Sequence, residues 1–180
     1  MAAEAEKASR ARLFFALWPD DLVRRQLAEH QPAAGRPVAV EDLHITLVFL
    51  GSLDSERQQR VEEAAAGLLL PPFRLQLERL EYWRRPKVTW LGPKVQPPDL
   101  LALHEQLKAV ALALGIQIEA RPYQPHVTLA RDAPAVPAQA IEPIQWDVAD
   151  FCLVESLARP SGPRYMVRRR WPLQAGVGRL

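Results

Sequence analysis

The feature that most limits what this chain can fold into is a tetrapeptide that occurs twice. HITL at residues 44–47 is followed 82 positions later by HVTL at residues 126–129. The chain contains only four histidines and three threonines, so abundance does not explain the repetition. Each copy opens a short run of β-branched and apolar residues, which is typical of a strand. The repeat therefore predicts two related halves, each centred on a motif strand.

The two motifs carry side chains suited to phosphoryl transfer. Alternate residues of a strand share a face, so each histidine lies beside the threonine two positions later. An imidazole can take or give a proton near neutral pH, and a hydroxyl can hold a phosphate oxygen. We expect His44 and His126 to face each other across a cleft, beside Thr46 and Thr128, with no metal required. Because the motifs are equivalent, their spacing leaves open which histidine is the acid.

Other interpretations of these histidines stay open. A lone histidine on a strand is usually a hydrogen-bonded structural residue, although repetition of the motif weighs against that interpretation. A zinc site built on His44 and His126 would need a further ligand, for which Asp42 and Asp132 are candidates.

Three other reactive side chains receive no chemical role. His30 and His104 fall in predicted helices without a partner motif, so we expect them at the surface or its boundary. Cys152 lies within the apolar run FCLV, which favours a buried, inert thiol over a nucleophile.

The composition is that of a single globular domain spanning residues 1–180. Of these residues 48% are hydrophobic and 24% are charged, a balance that supports a core. Residues 1–10 are polar, and we expect them to be disordered. The single cysteine excludes an intrachain disulfide framework, and no apolar stretch approaches the roughly 20 residues of a membrane helix. We therefore expect a cytoplasmic protein that is not bound to a membrane.

Positive charge is concentrated towards the end of the sequence. The net charge is only +2, yet residues 159–180 hold six arginines and no acidic residue. Such a cluster can attract phosphate, although a solvated basic edge strand is an equal alternative. Arg84, Arg85 and Lys87 form a second basic group that could hold RNA.

The hydrophobic patterns predict an α+β fold with antiparallel strands rather than regular βαβ alternation. Strands are predicted at residues 12–18, 43–50, 73–82, 87–91, 117–120, 126–131, 146–158 and 165–173, with helices at 20–30, 55–70 and 99–114. Residues 133–143 are predicted to form a loop. Alternation along the first motif strand predicts that His44, Thr46 and Val48 share one face and that Phe49 lies on the other.

With these residues identified, the sequence resembles the two-histidine (2H) phosphoesterase superfamily, and within it the bacterial RNA 2′,3′-cyclic phosphodiesterases, also called 2′–5′ RNA ligases. The resemblance covers nearly the whole chain, and the paired motifs are its specific part. Supporting segments are RLFFA at 12–16, RPV at 36–38, FLG at 49–51, WLG at 90–92, RP at 121–122 and RD at 131–132.

The resemblance implies a bilobal fold in which two pseudo-symmetric antiparallel sheets with outer helices enclose a central cleft. It also implies that His44 protonates the departing 3′ oxygen while His126 activates water, leaving a 2′-phosphomonoester. Thr46 and Thr128 would bind the phosphate, and no cofactor is expected. The partner would be RNA with a 2′,3′-cyclic phosphate end, or a small cyclic nucleotide, bound by a monomer.

Three further residues are candidates for substrate binding. Arg131 could hold phosphate with its planar guanidinium, or it could be a surface arginine paired with Asp132. Phe49 or Tyr123 could stack on a base, although Phe49 could also fill the core.

Two rival functions use the same residues. One is ligation of a 2′,3′-cyclic end to a 5′-hydroxyl, which gives a 2′–5′ bond. The other is an RNA- or nucleotide-binding module that no longer catalyses, against which the intact histidines and threonines count.

Overall fold

The computed structural model describes residues 10–159 and 164–174, and within them the chain forms nine strands and three α-helices. In chain order these are β1 (Ala11–Leu17), α1 (Asp21–Ala28), β2 (Arg36–Pro37), a short 3₁₀ turn (Val40–Asp42), β3 (Ile45–Leu53), α2 (Ser55–Ala66), β4 (Phe73–Trp83), β5 (Val88–Gly92), α3 (Pro98–Ala113), β6 (Val127–Arg131), β7 (Gln139–Val148), β8 (Asp150–Ser156) and β9 (Tyr165–Pro172). Disorder was predicted for residues 1–10; of these, residues 1–9 lie outside the described ranges. None of the described helices has the length and apolar character needed to cross a bilayer.

The strands pair antiparallel in the order β7-β4-β5-β6-β3-β1-β8-β9, with β2 also paired to β6. This confirms the predicted α+β class. It differs from the expected pair of separate sheets, because hydrogen bonding runs continuously along this order. The link between β3 and β6 is nevertheless a single residue pair, Ile45 with Val127. Four strands of the order lie on each side of that link.

The path from β7 to β8 was predicted wrongly. Residues 146–158 are not one strand, because the chain leaves β7 after Val148 and enters β8 at Asp150. β7 pairs with β4, whereas β8 pairs with β1 in the other half of the order. Only Ala149 separates the two strands, so the sheet must bend enough to bring the edge strand β7 close to β8 in the other half of the order.

Two shorter predictions were also wrong. Residues 139–143, expected in a loop, belong to β7, where Pro143 lies at an irregularity in the pairing with β4. Residues 117–120, expected to be a strand, pair with no other described strand, and three of the four side chains are exposed.

The two faces of β1 pack into different clusters. Leu13, Phe15 and Leu17 are fully buried in the main core. Phe14 and Ala16 point the other way and join a small second cluster on β8, formed with Cys152 and Val154. As predicted, Cys152 is buried, and burial raises the pKa of its thiol to about 12.

Each motif strand carries a β-bulge at the leucine that ends its motif. On β3 the extra residue is Leu47, and on β6 it is Leu129. Both leucines are buried in the main core. A bulge inserts one residue opposite a regular strand and shifts the alternation of the residues that directly follow it.

The bulge at Leu47 overturns the predicted arrangement of the first motif strand. Val48 does not share a face with His44, because it packs beside Leu47 in the main core. Phe49 pairs with Phe14, lies 45% exposed and faces the same cavity as His44. Simple alternation had predicted the reverse, with Val48 on the face of His44 and Phe49 on the other face.

Candidate active site

The two motifs meet at one cavity of about 630 Å³. Its lining includes both motif pairs, His44 with Thr46 and His126 with Thr128. The antiparallel register centred on Ile45 and Val127 sets His44 across from Thr128, and Thr46 across from His126. The structure therefore brings together the four residues that the repeat predicted.

The two histidines are held by the same backbone contact. His44 Nδ1 lies 2.6 Å from the carbonyl oxygen of Asp42, and His126 Nδ1 lies 2.7 Å from that of Gln124. A carbonyl can only accept, so each Nδ1 carries a hydrogen and donates it. In the neutral ring this leaves Nε2 as the basic nitrogen. Nε2 of His44 also lies 3.1 Å from the Thr46 hydroxyl, which can donate to it.

The His44 imidazole sits in an aromatic enclosure. The Trp18 ring stacks on it with centroids 5.1 Å apart and an angle of 12° between the planes. Phe14 lies 5.1 Å away, and Tyr165 presents an edge at 5.0 Å. A stacked indole attracts a protonated imidazole, an interaction of about 0.5–2 kcal/mol. The enclosure thus limits the contact of the ring with water and favours the imidazolium once that ion forms.

His126 has different neighbours. Trp83 meets it in an edge contact with centroids 4.6 Å apart, and Trp90 does so at 6.0 Å. Neither ring is parallel to the imidazole, since the interplanar angles are 73° and 70°. Among the described residues, no ring stacks on His126 as Trp18 stacks on His44.

Both histidines are poor bases in the free protein. Burial is the main cause that lowers the pKa of His44 from 6.5 to about 4; the bond to Asp42 opposes this shift, and positive charge on His126 and Arg131 adds to it. Burial also lowers the pKa of His126, opposed by the bond to Gln124 and aided by Arg131. Both imidazoles are consequently neutral at pH 7 when the cavity holds no anion.

Arg131 lies close enough for its charge to act on both histidines, and it lines the cavity. The alternative pairing with Asp132 is wrong. Asp132 instead accepts from Arg36, at 2.6 Å from Nε and 2.5 Å from Nη2. In the described ranges Arg131 forms no ion pair, so its guanidinium is available to an anion.

The two aspartates proposed as further zinc ligands both have other partners. Asp132 is the partner of Arg36, and Asp42, only 3% exposed, accepts from the backbone N–H of Arg164 at 2.8 Å. Asp42 thereby ties the start of β9 to the loop that precedes the first motif. Within the described residues, no three histidine, cysteine or acidic side chains cluster as a metal site.

Tyr123 does not occupy the position predicted for a base-stacking residue. Its ring stacks on His104, with centroids 3.9 Å apart, and its hydroxyl donates to the carbonyl of Thr46 at 3.1 Å. It is absent from the cavity lining. His104, expected at the surface or its boundary, lies at the boundary, with 12% of its side chain exposed.

The two bulge leucines are held by side chains from the opposite half of the sequence. His104, on α3, donates from Nδ1 to the carbonyl of Leu47 at 2.8 Å. Gln31, just after α1, donates from Nε2 to the carbonyls of Leu129 and Val38, at 3.0 and 2.7 Å. Each motif is thus fixed by a residue that is closer in sequence to the other motif.

Most of the predicted basic contacts lie away from the cavity. Arg84, Arg85 and Lys87 are exposed in the turn between β4 and β5 and do not line it. Three arginines of the basic end pair with acids instead, namely Arg168 with Glu155, Arg169 with Glu62 and Arg170 with Asp150. Arg164 lines the cavity, whereas Arg159 does not, and Arg179 lies outside the described residues.

Several cavity residues were not assigned to the site from the sequence. They are Arg12, Phe14, Arg36, Ser156 and Tyr165, together with Trp18 behind His44. The alternation of β1 was the available signal, because it sends Arg12, Phe14 and Ala16 to the face opposite the main core. Ser156 and Tyr165 depend on long-range pairing that gives no local signal.

Comparison with known proteins identifies the family. A family model described as the 2′-5′ RNA ligase superfamily matches residues 16–159. The chain belongs to that superfamily. Among superfamily relatives, the Escherichia coli protein named RNA 2′,3′-cyclic phosphodiesterase is 36% identical over 169 residues, which cover 90% of this chain and 96% of that protein. A Thermus thermophilus protein of the same name is 35% identical and covers 93% of each chain.

Solved structures of the superfamily agree with the fold. The crystal structure of Escherichia coli LigT complexed with 3′-AMP aligns with a TM-score of 0.83 at 35% identity, covering 92% of this chain and 99% of LigT. LigT has also been crystallised with phosphate. The resemblance inferred from the paired motifs is confirmed.

Proposed function

We propose that this 2′-5′ RNA ligase superfamily member hydrolyses RNA 2′,3′-cyclic phosphate ends to 2′-phosphomonoesters, with His44 and His126 as its acid and base. The observation that carries the proposal is the meeting of both histidine–threonine pairs and Arg131 at one cavity. Relatives that are 35–36% identical over at least 90% of this chain are named RNA 2′,3′-cyclic phosphodiesterase, which supports the enzyme class.

In the proposed reaction, His126 Nε2 takes a proton from water as the water oxygen attacks phosphorus. The bond from phosphorus to the 3′ oxygen breaks, and that oxygen takes the proton held on Nε2 of His44. The products are a 3′-hydroxyl and a 2′-phosphomonoester. His126 ends protonated and His44 neutral, so proton exchange with solvent restores the starting state.

Hydroxyl and guanidinium donors stabilise the charge that gathers on phosphorus. Thr46 and Thr128 lie on the cavity face beside the histidines and can donate to the two non-bridging oxygens. Arg131 brings a planar pair of N–H donors to the same group. Each role is part of the proposal and is testable by substitution.

The Trp18 ring that stacks on His44 supports the assignment of His44 as the acid. Burial lowers the pKa of His44 in the free protein, so this assignment requires that the charge of a bound phosphate monoanion raise it again. Trp18 then stabilises the imidazolium by stacking. Exchange of the two roles between His44 and His126 is the alternative assignment.

We also propose that the described strands form a single bilobal domain with pseudo-two-fold symmetry. Ile45 and Val127 are equivalent positions of the two motifs and pair directly, as an axis between the halves would require. The bulges at Leu47 and Leu129 repeat at equivalent positions. Phe49 follows the first bulge as Arg131 follows the second, and both line the cavity.

Phe49 remains our candidate for stacking on a base. Its ring is 45% exposed in the cavity, and aromatic rings stack on bases without selecting their sequence. The guanidinium of Arg12 lies 4.9 Å above the ring centroid, so a base must either displace it or stack on its outer face. A Phe49→Leu variant is expected to raise KM for a cyclic-phosphate oligonucleotide, and an unchanged KM would contradict this role.

Ligation is the second candidate, favoured by the name of the superfamily model. The chemistry is the same when an RNA 5′-hydroxyl replaces water. His126 would take the hydroxyl proton, the new bond would join the 5′ oxygen to phosphorus, and the 3′ oxygen would leave with the proton of His44. The product is a 2′–5′ linkage.

The experiment is hydrolysis of a short RNA with a 2′,3′-cyclic phosphate end in excess EDTA. Wild type, His44→Ala, His126→Ala and the matched control His30→Ala are compared, since His30 lies outside the cavity. We expect a 2′-phosphate product and losses of roughly 100- to 10,000-fold for the two cavity variants only. A 3′-phosphate product, EDTA-sensitive turnover or an inactive wild type would contradict the proposal; added 5′-hydroxyl RNA tests ligation.

A further inference from the structure

The cavity holds more positive charge than one cyclic phosphate needs. We propose that Arg12, Ser156 and Arg164 form a second phosphate subsite, which binds the phosphodiester on the 5′ side of the terminal nucleotide. The substrate is then an RNA chain rather than a mononucleotide. This inference rests on the proposed function, because it extends the same cavity.

Strand register places the backbone of Arg12 two rows of side chains from the row that holds Thr46. On the cavity face of β1, Ala16 pairs with Thr46 and Phe14 pairs with Phe49. Arg12 follows on the same face, so successive rows are about 7 Å apart along the strand. Along β1 the cavity face therefore carries three successive rows: a phosphate-binding row at Thr46, an aromatic row at Phe14 and Phe49, and a row at Arg12.

The Arg12 side chain turns back towards the catalytic row. Its guanidinium carbon lies 4.9 Å above the centroid of Phe49, although its own backbone is one row further away. A guanidinium held over an aromatic ring by its charge keeps N–H donors that can bind an anion. The donors therefore lie about one nucleotide from the catalytic threonines.

Ser156 and Arg164 complete the group from the neighbouring strands. Ser156 pairs with Arg12 across β1 and β8, and Tyr165, which follows Arg164, pairs with Ser156 across β8 and β9. All three members line the cavity. A hydroxyl beside two guanidinium groups is a donor set suited to phosphate.

The arginines of the cavity differ in whether they have an acidic partner. Arg36 is neutralised by Asp132. Within the described residues, no carboxylate pairs with the side chains of Arg12, Arg131 or Arg164, and the one acid of the lining, Asp42, binds the Arg164 backbone. A cyclic phosphodiester carries one negative charge, which Arg131 can meet. Arg12 and Arg164 are left for a second anion.

The chemistry of an RNA end indicates which anion this is. Nucleobases and ribose hydroxyls are neutral at pH 7, so the nearest other charge is the phosphodiester attached to the 5′ oxygen of the terminal ribose. A chain that enters past Arg12 would present this group one nucleotide from the cyclic phosphate. Affinity for it should fall as salt increases.

The test is a binding measurement that does not depend on turnover. Adenosine 2′-monophosphate and adenosine 2′,5′-bisphosphate are titrated by calorimetry into the full chain, as wild type, Arg12→Gln, Arg164→Gln and the control Arg84→Gln. Arg84 is an exposed arginine outside the cavity. We expect the 5′-phosphate to raise affinity roughly ten-fold in wild type and control, and the ratio to approach one in Arg12→Gln.

A ratio near one in the wild type would overturn the subsite, as would an unchanged ratio in both Arg12→Gln and Arg164→Gln. Arg12→Lys provides a second variant that keeps the charge without the planar fork, and it should retain part of the preference. If the wild type does not hydrolyse a cyclic-phosphate RNA but still binds the bisphosphate about ten-fold more tightly than the monophosphate, the proposed function is contradicted and the subsite remains supported.

Discussion

The two motifs have the same backbone arrangement, but their histidines have different side-chain surroundings. Each histidine donates from Nδ1 to the carbonyl two residues before it, and each motif ends in a bulged leucine whose carbonyl is held from the opposite half. Around His44, however, Trp18 stacks in parallel, whereas the tryptophans near His126 make only edge contacts. The repeat supplies two equivalent proton carriers, and residues outside it make them different.

The origin of that difference lies in the strands that flank each motif strand. β3 lies beside β1, which supplies Phe14 and leads directly into Trp18. β6 lies beside β5, which supplies Trp90. Equivalent positions in the strand order therefore carry unlike side chains, and a duplicated scaffold can assign distinct roles to its two copies.

The largest effect expected within the comparison concerns the two threonines. Thr46→Val removes both a phosphate donor and the hydroxyl beside His44 Nε2, whereas Thr128→Val removes the phosphate donor alone. We expect kcat/KM to fall roughly 100-fold for Thr128→Val and further for Thr46→Val. Steady-state kinetics on a cyclic-phosphate oligonucleotide measure this, and a larger loss for Thr128→Val would reverse the assigned asymmetry.

The pH dependence of kcat/KM tests the protonation of the pair. Burial holds the pKa of His44 near 4 and lowers that of His126 below 6.5, so the free protein loses the catalytic proton as pH rises. We expect kcat/KM to peak on the acidic side and to fall about ten-fold per pH unit above pH 6.5. A plateau of kcat/KM between pH 6.5 and 8 would contradict this, because the pKa of the catalytic acid would then lie above the value that burial allows.

The carbonyl clamps provide a smaller and more selective effect. His104→Phe keeps the stack on Tyr123 and loses the donor to Leu47, whereas His104→Asn keeps a donor near the Nδ1 position and loses the stack. We expect kcat to fall roughly ten-fold in His104→Phe with little change in KM, and to recover in His104→Asn. Equal losses in both variants would assign His104 to packing alone.

The smallest effect expected is on stability. The histidine pKa values are lower in the folded protein than the 6.5 of an exposed imidazole, so the unfolded chain binds more protons between about pH 4 and 6.5. Stability should therefore fall as pH drops through that range. Urea denaturation of wild type and His44→Gln at pH 7 and pH 5 measures this, and an equal pH dependence in both proteins would argue against a burial effect at His44.

Local patterns in the sequence predicted the parts of the molecule that local forces decide. The motif strands, the three helices and the four motif side chains at the cavity follow from periodicity, turn residues and residue type. The bulges escaped prediction because a single extra residue leaves no mark on composition, yet it moves Phe49 onto the face of His44. A one-residue shift in a strand is enough to move one side chain from the cavity to the core and its neighbour from the core to the cavity.

Long-range pairing accounts for the rest of what was missed. Ala149 joins strands from opposite halves of the sheet order, which no window of sequence around it could indicate. His104 and Gln31 hold carbonyls that are 57 and 98 residues away. Tyr123 was predicted as a candidate for stacking on a base, because no local pattern indicates that its ring packs against His104.

The unequal roles of the two histidines can be tested most directly with a substrate whose 3′ bridging oxygen is replaced by sulfur. A thiolate leaves without protonation, so the acid becomes dispensable while the base remains necessary. We predict that His44→Ala recovers most of its lost kcat/KM on this substrate and that His126→Ala does not. Recovery in His126→Ala instead, or equal losses in both variants, would contradict the assignment of His44 as the proton donor.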